Sequence, residues 1–96
     1  MSITRLVHVT YSPEKADEAS RSWKEKCGPL ISKQPGCLSE GLLRCRDVPN
    51  EFVSVSEWDN EESIRLYLKS EAHREVRGHH RKMGGGDVTI RLYARV

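Results

Sequence analysis

Six side chains in this sequence have the chemistry of a reaction site for aromatic molecules: His8, Trp58, Tyr67, His73, His79 and Tyr93. An imidazole titrating near neutrality suits a general base, so His73 and His79 are the candidate proton acceptors. Phenol hydroxyls donate hydrogen bonds to a substrate oxygen, which makes Tyr67 a catalytic candidate and Tyr93 a binding one. Trp58 offers an apolar wall for an aromatic ring, and His8, flanked by Val7 and Val9, points either into a cavity or into a subunit seam. Each residue also has a plainer reading. Trp58 stands where a strand meets a helix cap, so it also reads as junction packing. His73 lies away from the apolar helix face and reads first as a surface imidazole. His79 and His80 form a loop pair if Gly78 ends the helix, whereas a continuous helix turns His79 toward the sheet. The stretch "SEWDNEESIRLYLKSEAHREVRGHH", Ser56 to His80, carries four of the six.

Other chemistries are poorly supported. Cys27, Cys37 and Cys45 form no CxxC pair and are an odd number, which argues against a secreted disulfide framework and for a reducing cytoplasm. They read as small core residues rather than nucleophiles. No Cys-His or Ser-His spacing is diagnostic. The histidines lack Asp or Glu partners at helical spacing, so no metal site is expected.

The elements that must position these residues follow from periodicity. "ITRLVHVTY" (Ile3 to Tyr11) is rich in β-branched residues and reads as a strand, with Ile3, Val7, Val9 and Tyr11 on one parity. Ser12-Pro13 opens a helix whose Ala16, Ala19, Trp23 and Cys27 share a face. Gly28-Pro29 should bend or break it, and Pro35-Gly36 ends what remains. "CLSEGLLRCR" and "EFVSVSEW" are two strands joined by the turn-forming "DVPN". Asp59 then caps a second helix, with Glu62 at the capping-box spacing. Ile64, Leu68, Ala72 and Val76 lie on its apolar face, Tyr67 flanks that face, and His73 and His80 lie opposite. Gly84 to Gly86 connect to "DVTIRLYARV", a last strand of regular alternation.

The order β-α-β-β-α-β implies an α+β, ferredoxin-like domain spanning residues 1–96. Two split βαβ units give a four-stranded antiparallel sheet with both helices on one face. The other face would carry some of Leu6, His8, Thr10, Leu42, Phe52, Trp58 and Tyr93, depending on register. Such a face usually marks an interface. Val, Ile, Leu and Phe together are only 21 of 96 residues, a thin core that a second copy would extend. A net charge of +2 with interspersed signs gives no basic stripe for nucleic acid. No apolar run approaches the ~20 residues of a membrane span.

The chain resembles the antibiotic-biosynthesis-monooxygenase family of dimeric α/β-barrel proteins. The resemblance rests on "PGCL" (Pro35 to Leu38), "SEW" (Ser56 to Trp58) and "SEAH" (Ser70 to His73), in that order and spacing. It implies a homodimer with a cavity between helices and sheet in each subunit. It also implies oxidation of a hydrophobic aromatic, such as a quinol or polyketide-like phenol, by O2 with no cofactor. A second class is a non-enzymatic ligand-binding or stress-related barrel, and a third is a haem-binding or haem-degrading homologue. Two positions depart from the family pattern. Tyr67 stands where members commonly carry His, nine residues after the tryptophan. The first strand lacks the Asn of haem degraders, and Arg77 is nearest their iron-ligand position.

Overall fold

The computed structural model describes residues 2–96 and bears out the ferredoxin-like order. Strand β1 (Ile3–Thr10) leads through a 3-10 turn (Pro13–Lys15) into α1 (Ala16–Ser22), a π-helical turn (Trp23–Cys27) and α2 (Gly28–Ser32). Strands β2 (Cys37–Arg44) and β3 (Glu51–Trp58) follow, then α3 (Glu61–Leu68), α4 (Glu71–Lys82) and β4 (Thr89–Ala94). The sheet is antiparallel throughout, in the order β2-β3-β1-β4.

Four local expectations need correction. Gly28-Pro29 neither breaks nor ends the first helix. The backbone widens one turn earlier, and the Gly28 N–H donates to the Trp23 carbonyl five residues back. That wider turn makes room for the Pro29 ring and absorbs its missing donor, so the helix runs on to Ser32. Ser12 makes no side-chain capping bond, although Pro13 does take the first helical position. The cap of α3 is Asn60 rather than Asp59. Its side chain accepts from the Ser63 N–H at 3.0 Å, while Asp59 accepts from the Ser63 hydroxyl at 2.6 Å.

The fourth correction bears directly on the site. The second helix is two helices, interrupted at Lys69-Ser70. The Ser70 hydroxyl donates to the Tyr67 carbonyl at 2.6 Å and accepts from the His73 N–H at 3.2 Å. One side chain therefore ends α3 and caps α4, which is how serine competes with helix continuation. The break resets the helical phase. Leu68 is left 41 % exposed, whereas Tyr67 is buried with Ile64 and Ala72. Past Gly78, α4 continues unbroken to Lys82.

Strand register sorts the two sheet faces. Arg5 pairs with Ser56 and Leu92, Val7 with Ser54 and Ile90, and Ile3 with Trp58. This parity faces the helices and also holds Phe52 and Leu42. The helix-free face instead carries Leu6, His8, Thr10, Leu43, Val53, Val55 and Tyr93, so Leu42, Phe52 and Trp58 are not part of it. The core between helices and sheet has two clusters. One gathers Trp23, Cys27, Ile31, Trp58, Ile64, Tyr67 and Ala72. The other gathers Val9, Tyr11, Ala16, Ala19 and Phe52. Gly36 joins α2 to β2 at φ +85°, and a Cβ there would sit 2.2 Å from the Ser63 hydroxyl, so only glycine fits this crossing of two elements.

Candidate active site

A cavity of about 660 Å³ opens between the helix-facing side of β1, helix α4 and the connection that precedes β4. Arg5, Val7, Val9 and Ile90 form its sheet wall; Tyr67, His73, Val76, Arg77, His80 and Arg81 form its helical wall; Gly85 to Val88 close one side. The lining is an apolar floor with a few converging polar groups, the usual make-up of a small-molecule site.

Tyr67 is the centre of the polar set. Its ring is buried and stacks on Trp58, with centroids 5.3 Å apart and planes 28° from parallel. The His73 ring meets it edge-on at 5.1 Å, and the Arg5 guanidinium lies 5.9 Å from its centroid. Burial pushes the phenol up to about 12, although the nearby Arg5 charge pulls the other way. Tyr67 is therefore a lasting hydrogen-bond donor at neutral pH. For His73, burial comes first and the charges of Arg5 and Arg77 second, and both hold it below its ordinary value. A neutral imidazole at neutral pH is a proton acceptor.

The other expected site residues are not all brought to this cavity. Trp58 is fully buried behind Tyr67, and its indole N–H donates to the Ser56 hydroxyl at 2.8 Å. It supports the wall without lining it. His79 turns toward α1, with Nε2 2.6 Å from the Ser22 hydroxyl, and is not among the lining residues. Burial, then the charges of Lys26 and His80, lower its pKa. His8 is exposed on the helix-free face, and Tyr93, on the same face, is 48 % exposed.

Among the lining residues that the sequence reading did not assign to the site are His80 and Arg5. His80 donates through Nε2 to the Gly86 carbonyl at 2.7 Å, since a carbonyl only accepts. Its buried Nδ1 has no hydrogen-bond partner among the described residues. The continuous-wheel placement of His80 away from the core hid it, because the Ser70 break resets that wheel. Arg5 is 7 % exposed. Its signal was available: it shares the inward parity of Ile3, Val7, Val9 and Tyr11, and is the one charged residue in that series.

Among the described residues no three His, Cys, Asp or Glu side chains cluster as a metal site. Cys27 is buried, which raises its thiol to about 11 and makes it a poor nucleophile. No helix among the described residues is long and apolar enough to cross a membrane.

An antiparallel ferredoxin-like sheet with helices on one face and a largely apolar cavity beneath them defines the class. The model of the antibiotic biosynthesis monooxygenase family matches residues 2–78, and the chain belongs to that family. Among solved structures, a candidate antibiotic biosynthesis monooxygenase from Bordetella bronchiseptica superposes with a TM-score of 0.87 at 16 % identity, covering 99 % of this chain and 97 % of that one. A similar protein from Deinococcus radiodurans gives 0.84 at 19 %, covering 100 % and 93 %. A variant of SnoaB from Streptomyces nogalater, a cofactor-independent oxygenase, gives 0.81 at 20 %, covering 98 % and 92 %. At these identities the likeness is one of fold. No curated protein matches the sequence.

Proposed function

We propose that this chain is a cofactor-independent monooxygenase acting, as a homodimer, on a hydrophobic aromatic of the quinol or polyketide-like phenol type. The observation that carries the reading is the group of three around one buried ring: a neutral imidazole at 5.1 Å and a guanidinium at 5.9 Å from Tyr67, all lining one largely apolar cavity. His73 takes the acidic proton of the substrate. Tyr67 donates to the substrate oxygen on which negative charge collects, and Arg5 adds a positive field. The resulting electron-rich anion passes electrons to O2. One oxygen atom enters the product and the other leaves as water, so the substrate itself is the reductant. The protein supplies a dry site, a base and anion stabilisation. Trp58 holds Tyr67 in place from behind. His79, on this reading, braces α4 against α1, and His80 ties α4 to the connection before β4.

The dimer belongs to the same proposal. Leu6, Leu43, Val53, Val55 and Tyr93 on the helix-free face have no helix to cover them, and a second sheet packed there buries them. Haem fits this lining poorly. Arg77, which is not an iron ligand, stands nearest the ligand position of haem degraders, the Nε2 of His80 is taken up by Gly86, and the one other imidazole of the α4 wall, His73, is packed edge-on against Tyr67.

The test is O2 uptake with a panel of anthrones, naphthoquinols and phenols in chelator-treated protein. Uptake matched to product is expected. His73→Ala should slow it by about 10²-fold or more, the usual contribution of a general base, with little effect on folding. Tyr67→Phe should keep the stack and lower the rate. No uptake with any of the panel, or full activity in both variants, overturns the reading.

A further inference from the structure

Among the described residues the most buried cation is in no ion pair. Arg5 sits on the second strand from the sheet edge, faces the helices, and is 7 % exposed. Its register neighbours are Ser56 and Leu92. No ion pair among the described residues involves it. The four that exist, Arg44 with Asp17, Arg65 with Glu61 and Glu62, and Arg74 with Glu71, all lie at the surface. Nor does any described residue hydrogen-bond its guanidinium. Desolvation draws its pKa down, yet an arginine does not lose its proton in a protein. The Arg5 nitrogens are not among the fully enclosed polar atoms left without a partner, so the guanidinium opens onto the cavity, and an arginine this buried is ordinarily found paired. Around it the cavity wall adds Arg77 and Arg81, neither of them in an ion pair, and one carboxylate, Asp87. The lining thus has three guanidiniums to one carboxylate.

We infer that this cavity takes an aromatic anion, a carboxylate or acidic hydroxyl on a ring, with the negative group on Arg5 and the ring along the Tyr67 side of the pocket. The guanidinium presents a planar fork that matches a carboxylate with two parallel hydrogen bonds. Tyr67, which Arg5 overlies, gives the ring a flat neighbour, and Val7, Val9 and Ile90 provide the apolar remainder. The inference rests on the proposed function only for the cavity as the ligand site, and not on any oxidation. It narrows the substrate class from aromatics in general to those that enter as anions, or that carry a carboxylate beside the reacting ring.

The experiment compares two probes of one shape, 2-naphthoate and 2-naphthamide, by titration calorimetry with the full-length chain at pH 7.5. Neither is a substrate for oxidation, so the outcome is independent of turnover. 2-Naphthoate is expected to bind at least about ten-fold more tightly, on the order of what one charge-assisted pair supplies. Arg5→Met should erase that preference by weakening 2-naphthoate far more than 2-naphthamide. Arg5→Lys should keep most of it. Thermal melting of Arg5→Met is expected to match or exceed the parent, because an uncompensated charge has been removed. Equal binding of the two probes to the parent protein overturns the inference without needing any variant. So does an Arg5→Met protein that keeps the preference, or one that unfolds because the partner subunit supplies the missing carboxylate. Oxygen uptake with neutral phenols alongside equal probe binding would leave the proposed function standing and remove only the anion.

Discussion

Replacing Trp58 by Phe separates packing from chemistry at this site. The indole is fully buried and its N–H donates to the Ser56 hydroxyl, itself only 3 % exposed. Phe keeps a six-membered ring against Tyr67 and removes the donor. The hydroxyl left unpaired costs about 1–3 kcal/mol. The void adds roughly 1 kcal/mol at ~24 cal/mol per Å³ of residual cavity. A destabilisation of about 2–4 kcal/mol follows, a large share of the ~5–15 kcal/mol a small domain has. Adding Ser56→Ala removes the orphaned hydroxyl, so the double variant should recover about 1 kcal/mol or more relative to Trp58→Phe alone. Urea unfolding followed by circular dichroism, at one fixed protein concentration because association adds to apparent stability, measures all four corners of the cycle. Trp58→Ala is the outer limit, with a loss of about 3–5 kcal/mol. If Trp58→Phe costs under about 0.5 kcal/mol, or Ser56→Ala deepens the loss additively, the hydrogen bond does not hold the pair and the reasoning about this wall fails. Ligand binding that weakens in a well-folded Trp58→Phe would show that Tyr67 depends on the stack for its position.

Three further expectations follow from the same geometry. His73 and His79 both have folded pKa values below their ordinary 6.5, so the stability they contribute is complete above that value and is lost as pH falls through the folded values; the melting temperature should drop on acidification below about 6.5, and His73→Ala with His79→Ala should flatten that slope. Light scattering at micromolar concentration should report a mass near twice 11.0 kDa, and Leu43→Asp on the helix-free face should shift it toward a single chain; a parent protein that is a cooperative monomer removes the barrel from the account. Haem should bind weakly, and addition of a reductant should leave the Soret band intact, because the first strand lacks the Asn of haem degraders and Arg77 stands nearest their iron-ligand position; loss of the band with iron release would contradict this.

Much of the architecture is local in origin and was therefore readable. The parity of Ile3, Val7, Val9 and Tyr11, the helical spacing of Ala16, Ala19, Trp23 and Cys27, and the alternation of Val53 and Val55 each reflect which side of one element meets the core. Their order along the chain, with short antiparallel connections, leaves few topologies besides the split βαβ pair. The burial of Cys27 and the packing value of Trp58 follow from the same pattern.

What only the tertiary structure decided depends on competition between nearly equal local choices and on contacts distant in sequence. Helix continuation through Lys69-Ser70 and a serine cap differ by about 1 kcal/mol, and here the Ser70 hydroxyl closes α3 on the Tyr67 carbonyl and opens α4 on the His73 N–H. That choice rotates α4, brings His73 and His80 to the cavity, and turns His79 to Ser22 on α1. Strand register likewise came from pairing β1 with β3 and β4, and a one-residue slip would have exchanged His8 and Arg5 between faces. The sequence by itself determined that an arginine stands in an inward-facing series on the first strand. The fold decided that it would be buried without an ion-pair partner: the paired acids lie on the outer surfaces of the helices, and Glu40, the carboxylate on its own sheet row, stands beyond Ser56 with its carboxyl beside Gly28 and Trp23.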